Sequence, residues 1–330
     1  RRGEPSLRVF VSGGDPVSQY VVRMPQWFWG QAPEAAYIAP DTPGIALPHA
    51  RCELYELPVS KGDYLPGLDA AHTEVVMKDL ERRGDAFICG DTWHWMGSGS
   101  PATTVSIRGG MDQVQVLDEA GKVVGEVDIE AAMTDLHPQA VYQHGRQQVL
   151  INKLDIKKRQ ARGKRTRVNY YTKPTVVSKI YVDEAEKGRR DSGPMTVSWG
   201  PVKVHRKVVA YTKVSIETGQ SLGVEPLDLE GRTLRTDGMW ILAALDVVVQ
   251  AAGAEPQRAL EGVAHVLRIV GSLMSMTDIR DLQGCVGAAA GAQNRLAISL
   301  HEMVRGGTGV TAQLAERVPQ LLETAMDLLD

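Results

Sequence analysis

Cysteine is scarce in this chain, at three in 330 residues. Cys52, Cys89 and Cys285 are odd in number, far apart and outside any C-x-x-C pattern. They point to a reducing cytoplasm and do not read as a zinc site. No run of about 18 apolar residues exists, which argues against a membrane span. The first residues hold two arginines but no apolar h-region, so no signal peptide is read there. Charge of one sign is also lacking: the net charge is −3, with 43% of residues hydrophobic. That balance excludes global disorder and a nucleic-acid field spread over the whole surface. At roughly 100–200 residues per domain, the length suggests two or three domains.

Near the start, Leu7, Val9 and Val11 alternate with Arg8 and Phe10 and stop at Gly13-Gly14, which reads as the last strand of a sheet. The other strands of that sheet are not in the sequence. Asp15-Pro16 supplies an N-cap and a first-turn proline for a helix to about Trp27, with Val17, Tyr20, Val21 and Met24 on one face.

This order of residues, RRGEPS, a short strand, GGDP, QY, a proline-aromatic run, PEAAYIAPDTP, a histidine and C-x-x-YELP, resembles the region after helicase motif VI in DEAD/DEAH-box DNA repair helicases of the MrfA/YprA type. The resemblance continues along nearly the whole chain. It implies that Arg1 falls on or next to the last arginine of motif VI, Q-x-x-G-R-x-G-R, where it would sense ATP in the intact protein. It also implies that the motor domains, with their phosphate loop and acidic magnesium motif, lie upstream, and that a four-cysteine zinc site follows the last helix. ATP, magnesium and zinc are then expected of the parent protein and none of them of this chain.

From Ile45 to about Ser100, helices at His49–Leu57 and Thr73–Arg83 precede a hairpin, Asp85–Cys89 and Thr92–Met96 around Gly90-Asp91. Helices followed by a hairpin suggest a winged helix, which the resemblance also implies. Lys78, Arg82 and Arg83 are offset by Glu74, Asp79 and Glu81, so this helix is read as packing on the motor rather than reading a duplex. Trp93 and Trp95 share one face of the hairpin and are read as buried, with base stacking the alternative.

From Ala102 to about Gly223 short strands and turns imply a small barrel or two curled sheets. Within it lies the strongest charge feature, KLDIKKRQARGKRTRVNYYTK. Lys157, Lys158, Arg159, Arg162, Lys164, Arg165 and Arg167 face only Asp155 nearby, and Tyr170 follows. Arg162-Gly163-Lys164 is read as the tip of a hairpin. Bases that neutralise phosphates beside a ring on which a nucleobase can stack are the footprint of a groove that tracks a nucleic-acid backbone. A solvated hairpin is the competing reading. His137 has no partner at metal spacing and is read as structural.

After Pro226 helix signals return: Asp237 capping Gly238–Ala251, then Glu255-Pro256 opening a helix of about twenty residues. The stretch LEGVAHVLRIVGSLMSMTDIRDLQG, a strand at Leu296–Leu300, a GGTG turn and a helix at Thr311–Leu329 resemble the C-terminal domain of the same helicases. The family commonly has cysteine where Thr277 stands, glycine where Gln283 stands and tyrosine-aspartate where His301-Glu302 stand. Gly306 to Gly309 reads as a tight turn in preference to a phosphate cradle, since the P-loop lysine is missing. Asp278, Asp281, His301 and Glu302 would make an acid-base or metal set if the fold gathers them. His265, beside the apolar stripe, reads as a core histidine. The last helix reads as leaving Leu314, Val318, Leu321, Leu322, Ala325 and Leu329 on an uncovered face.

The sequence therefore predicts an α+β chain in four parts: a motor-domain remnant at 1–44, a winged helix at 45–101, a small basic β-barrel at 102–226 and a helical domain at 227–330. The expected function is an accessory DNA-binding region of a 3′–5′ DNA repair helicase, cytoplasmic and by itself without ATPase activity. Its expected partners are single-stranded DNA or a forked duplex and the missing motor domains. A protein-interaction scaffold without nucleic acid is the alternative, and a hydrolase built on the Asp278 set is a third reading.

Overall fold

Asp15 caps the first helix as its sequence dictates, accepting from the Ser18 N–H at 2.9 Å, and Pro16 opens α1 (Pro16–Arg23). Pro25 then forces a break, and α2 (Pro25–Gly30) is a separate helix. The computed structural model describes residues 3, 5, 7, 9–30, 32, 39–103, 105, 113–182, 187–192, 195–253, 255–288 and 295–329. Arg1 and most of the strand expected at Thr103–Arg108 lie outside them. Leu7, Val9, Phe10 and Val11 belong to no strand, and Leu7, Val9 and Val11 are largely exposed. The strand expected there has no neighbour to pair with among the described residues.

The first packed unit combines α3 (Pro43–Glu56), β1 (Val59–Ser60), α4 (Ala70–Arg83), β2 (Ala86–Cys89) and β3 (Thr92–Trp95), with the strands in the order β1-β3-β2. Asp69 caps α4 through the His72 N–H at 2.7 Å. Gly84, at φ +80°, ends it in the left-handed conformation that glycine adopts freely. Ala50, Leu54, Met77, Leu80 and Trp93 form its core. Trp93 is fully buried, and Trp95 is half-buried against Tyr55, edge to face at 6.0 Å.

The β-rich stretch divides between two sheets. In the first, β4 (Gln113–Leu117), β5 (Val123–Asp128), β6 (Val141–His144), β7 (Gln147–Asp155) and β8 (Gln160–Thr166) take the order β5-β4-β8-β7-β6. β4 and β8 run parallel. α5 (Ile129–Asp135) closes its core with Val114, Val116, Leu136, Val149 and Ile151.

The second sheet holds β9 (Tyr170–Val182), β10 (Gly188–Ser192), β11 (Met195–Ser215), β12 (Ser221–Pro226) and β13 (Arg232–Ala244). After α6 (Leu245–Ala252) and α7 (Pro256–Ser275) it gains β14 (Leu282–Ala288) and β15 (Arg295–Glu302). β11 is 21 residues long and pairs with β9, β10, β12 and β13, so the sheet crosses the boundary expected at 226. The helix expected at Gly238–Ala251 is a correction: residues 238–244 are strand. Met239 and Ile241 pack on the helices, while Trp240 packs on Val202 and Val204 on the opposite face. An apolar run buried on both faces lacks the alternation that marks a strand. Asp237 caps nothing and instead pairs with Lys187 at 2.8 Å.

α7, α8 (Val310–Glu316) and α9 (Val318–Leu329) cover one face of this sheet, burying Leu267, Val270, Leu314, Val318 and Leu321 against Met239, Leu282 and Leu300. The apolar side of the last helix is thus mostly covered by α7, and Met326 and Leu329 are left exposed. α5 lies on the other side: Arg232 Nη1 donates to the Ile129 carbonyl at 3.1 Å, Glu130 pairs with Arg305 at 3.2 Å, and the His137 ring rests on Tyr211 at 5.0 Å. No described helix is long and apolar enough to cross a membrane.

Within this sheet His301 is 1% exposed and neither ring nitrogen has a hydrogen-bond partner. Burial, helped by the charge of Arg206, pushes its pKa down from 6.5 to about 3. The unfolded chain therefore takes up a proton below about pH 6.5 that the folded chain refuses until about pH 3. Stability is complete above pH 6.5 and falls as pH drops through that window, by up to about 1.4 kcal/mol per pH unit. Urea midpoints measured from pH 7 to pH 4.5 should show this fall, and His301→Leu should flatten it. An unchanged slope in that variant would assign the loss to other groups.

Candidate nucleic-acid interface

β7 and β8 form the hairpin that carries the basic run, but its tip is not where the glycine suggested. The turn is Ile156–Arg159. Asp155 accepts from the Lys158 N–H at 3.0 Å, the Arg159 N–H donates to the Ile156 carbonyl at 3.2 Å, and Arg159 itself takes the left-handed conformation at φ +52°. Arg162-Gly163-Lys164, expected as the tip, lies inside β8, with Gly163 opposite Ile151.

The reason for Gly163 is packing. A Cβ there would stand 2.6 Å from the Leu150 carbonyl oxygen and 2.6 Å from Val149 Cγ1. Gly163→Ala should therefore push β8 off β7 and destabilise the chain by roughly 1–3 kcal/mol, read as a lower urea midpoint. A midpoint equal to that of the parent chain would show that the hairpin can relax around the methyl group.

Period-two alternation sorts the basic residues by face. Ala161 and Gly163 are buried, while Arg162 and Lys164 point to solvent. Lys153, directly opposite Arg162 on β7, is also exposed, as are Lys157, Lys158 and Arg159 at the tip and Arg167 beyond β8. Lys157, Lys158, Arg162 and Lys164 have no ion-pair partner among the described residues. Arg165 differs. It binds the buried carboxylate of Asp118 at 2.9 Å, which also accepts from the N–H groups of Ala120 and Lys122. The Lys122 N–H first, then Arg165 and last the Ala120 N–H, hold the Asp118 pKa below the usual carboxylate range against the opposing effect of burial. Arg165 thus ties β8 to the β4–β5 turn. Tyr170 is half-buried at the start of β9, and its neighbour Tyr171 is 46% exposed.

The helix before the β2–β3 hairpin is electrically quiet. Lys78 pairs with Glu74 at 2.7 Å, and Arg82 and Arg83 share Asp79 at 3.1 and 2.7 Å. Sequence reasoning missed a stacked pair on the outer face of that hairpin, Phe87 on His94 with ring centroids 5.3 Å apart. Strand alternation would have found it, since both are out of phase with buried Trp93.

The acid-base set does not assemble. Asp278 is clamped by Arg280 at 2.9 Å, which brings its pKa down to about 2. Asp281 bonds Thr277 at 3.5 Å, and burial raises its pKa. His301 is isolated, and Glu302, one residue on, points to the opposite face of β15. There its carboxylate accepts from the Thr308 N–H, from the Thr308 hydroxyl at 2.7 Å, and from the Thr311 N–H and hydroxyl at 2.9 and 2.8 Å. Within the Gly306–Gly309 turn, the Thr308 N–H is therefore filled by the chain's own carboxylate and the Gly306 and Gly307 N–H groups by the Arg235 and Val304 carbonyls, so a phosphate does not fit. No group of three or more His, Cys, Asp or Glu among the described residues could hold a metal ion, so these residues do not fit zinc either.

His137 is fully buried with Nδ1 at 2.8 Å from the Pro138 carbonyl, a structural position. His265, expected in the core, is exposed on α7, because it falls between the buried Ala264 and Leu267 on the rim of the stripe. It borders an open cleft with Arg268 and Cys285. Burial pushes the Cys285 thiol up to about 11, so it is not a nucleophile at neutral pH.

No protein-family model matches the chain. Over its whole length it is 26% identical to the uncharacterized ATP-dependent helicase YprA of Bacillus subtilis (strain 168), of which it covers 44%. Crystal structures of the DUF1998 helicase MrfA share its fold. The TM-score is 0.62 at 22% identity for MrfA alone, over 96% of this chain and 44% of that one. For MrfA bound to DNA it is 0.59 at 24% identity, over 94% of this chain and 42% of that one. The chain spans less than half the length of these relatives. It is a homologue of YprA, with the fold of the matching part of MrfA.

Proposed function

We propose that the chain is the accessory DNA-binding region of an ATP-dependent 3′–5′ DNA helicase of the MrfA/YprA type, acting in DNA repair in the cytoplasm. The observation that carries this reading is the β7–β8 hairpin. Four exposed cations without ion-pair partners among the described residues, Lys157, Lys158, Arg162 and Lys164, stand on this one hairpin of a chain whose net charge is −3. Such a field attracts a phosphate backbone and reads no sequence, which suits a motor that must bind every step it takes.

In this reading α3, α4 and the β2–β3 hairpin are a winged helix whose ion-paired α4 packs on the motor domains. The exposed Leu7, Val9 and Val11 would complete a sheet of the second motor domain. Arg1 would sense ATP from motif VI, while ATP, magnesium and zinc would be held by other parts of the parent protein. The hairpin and the C-terminal sheet would then line the channel for single-stranded DNA or the single-stranded arm of a fork, and this chain alone would not hydrolyse ATP.

The test is fluorescence anisotropy of the chain with labelled single-stranded DNA at 50 and 200 mM salt. Micromolar or tighter binding that falls steeply between the two is expected. No binding at 50 mM would sink the reading and leave the chain as a scaffold.

A further inference from the structure

We propose that the outward face of β9 is a second nucleic-acid surface, on which an unpaired strand lies with its bases against tyrosine. The proposal rests on the DNA-binding reading above and specifies the form of the partner. β9 is 13 residues long and alternates without a break between half-buried and exposed positions. The exposed ones are Tyr171, Lys173, Thr175, Val177, Lys179 and Tyr181. Tyr171, Val177 and Tyr181 are 46%, 47% and 54% exposed, large groups that nothing in the described fold covers.

Each lysine stands two residues from a tyrosine, about 7 Å along a strand. Across the pairing with β11, Val177, Lys179 and Tyr181 face Lys207, His205 and Lys203. None of the residues in register on this two-strand face is acidic. Lys207 holds Asp228, a surface carboxylate, at 3.1 Å, and Lys203 also has a partner. A positive face with aromatic rings at both ends complements a polyanion whose bases are free to stack, and a duplex keeps its bases inside. From Tyr171 to Tyr181 the strand measures about 33 Å, a length matching the roughly 4–16 nucleotides that stacking platforms take. The chain also passes from the basic outer face of β8 through Arg167 straight into β9, so one path can serve both surfaces.

The experiment uses the full chain with labelled oligo-dT and a duplex of equal length, each followed by anisotropy. Tyr171→Ala with Tyr181→Ala should weaken oligo-dT binding at least about tenfold and leave duplex binding within twofold. Tyr171→Phe with Tyr181→Phe should restore it, since the ring is kept. Lys173→Gln with Lys179→Gln should flatten the salt dependence on oligo-dT by about 1.4 in the log–log slope. Should the alanine pair fail to fold in a thermal melt, the phenylalanine and glutamine pairs decide: unchanged salt dependence in the glutamine pair overturns the proposal. An alanine pair that folds and binds oligo-dT like the parent chain also overturns it, while loss of binding in hairpin variants keeps the DNA reading intact. Equal binding of polyglutamate and oligo-dT would make the face a protein-docking surface. A parent chain that binds no DNA at 50 mM salt overturns both.

Discussion

Replacing Lys157, Lys158, Arg162 and Lys164 together by glutamine is expected to lower affinity for single-stranded DNA on the order of a hundredfold at about 0.1 M salt. Each lost phosphate contact removes about 0.7 from the slope of log affinity against log salt for single strands. Four contacts remove roughly 3. All four side chains are exposed, and none has an ion-pair partner among the described residues that the substitution would orphan. The melting temperature should therefore stay within a few degrees. Arg165 serves as the contrast: it is bound to the buried Asp118, so Arg165→Gln should act on stability first. A quadruple variant that keeps both affinity and salt slope would remove the hairpin from the DNA path. Loss of affinity with an unchanged slope would show that the effect is structural.

Where local chemistry set the structure, the sequence was readable. The Asp15 cap, the Gly84 stop, the turn at Gly90-Asp91 and the start of α7 at Pro256 each follow from one residue's backbone preference. The basic hairpin was readable as charge but not as geometry. Gly163 suggested a turn, yet it is glycine because Leu150 and Val149 leave no room for a Cβ, and the left-handed turn position went to Arg159, a residue with no such preference. Residues 238–244 were read as helix because burial on both faces of the sheet erases alternation. β14 was missed for a similar reason, since Gly284 and Gly287 interrupt it. The acid-base set was legible only as a list of residue types; whether the side chains converge depends on the opposite phases of His301 and Glu302 along β15.

Glu302→Ala is expected to destabilise the C-terminal sheet and its helices by about 3–5 kcal/mol, and to lower its melting temperature by roughly 10 °C. The side chain is 2% exposed and accepts four hydrogen bonds from two threonines, two from backbone N–H groups and two from hydroxyls. Deleting it leaves those donors facing a cavity. Each unsatisfied buried donor costs about 1–3 kcal/mol, and water entering the space offsets part of the sum. The carboxylate also fixes the Gly306–Gly309 turn, and with it the start of α8, whose Leu314 and Val310 fill the core beneath the sheet. Glu302→Gln should cost less but more than an exposed substitution, because its amide nitrogen meets donors where an acceptor is required. The two variants together separate an acceptor role from one of mere volume: equal small losses would mean that the space alone matters. A Glu302→Ala melt within 2 °C of the parent chain would show that the turn and α8 hold without the carboxylate, and would reopen the Thr308 and Thr311 N–H groups to an external anion.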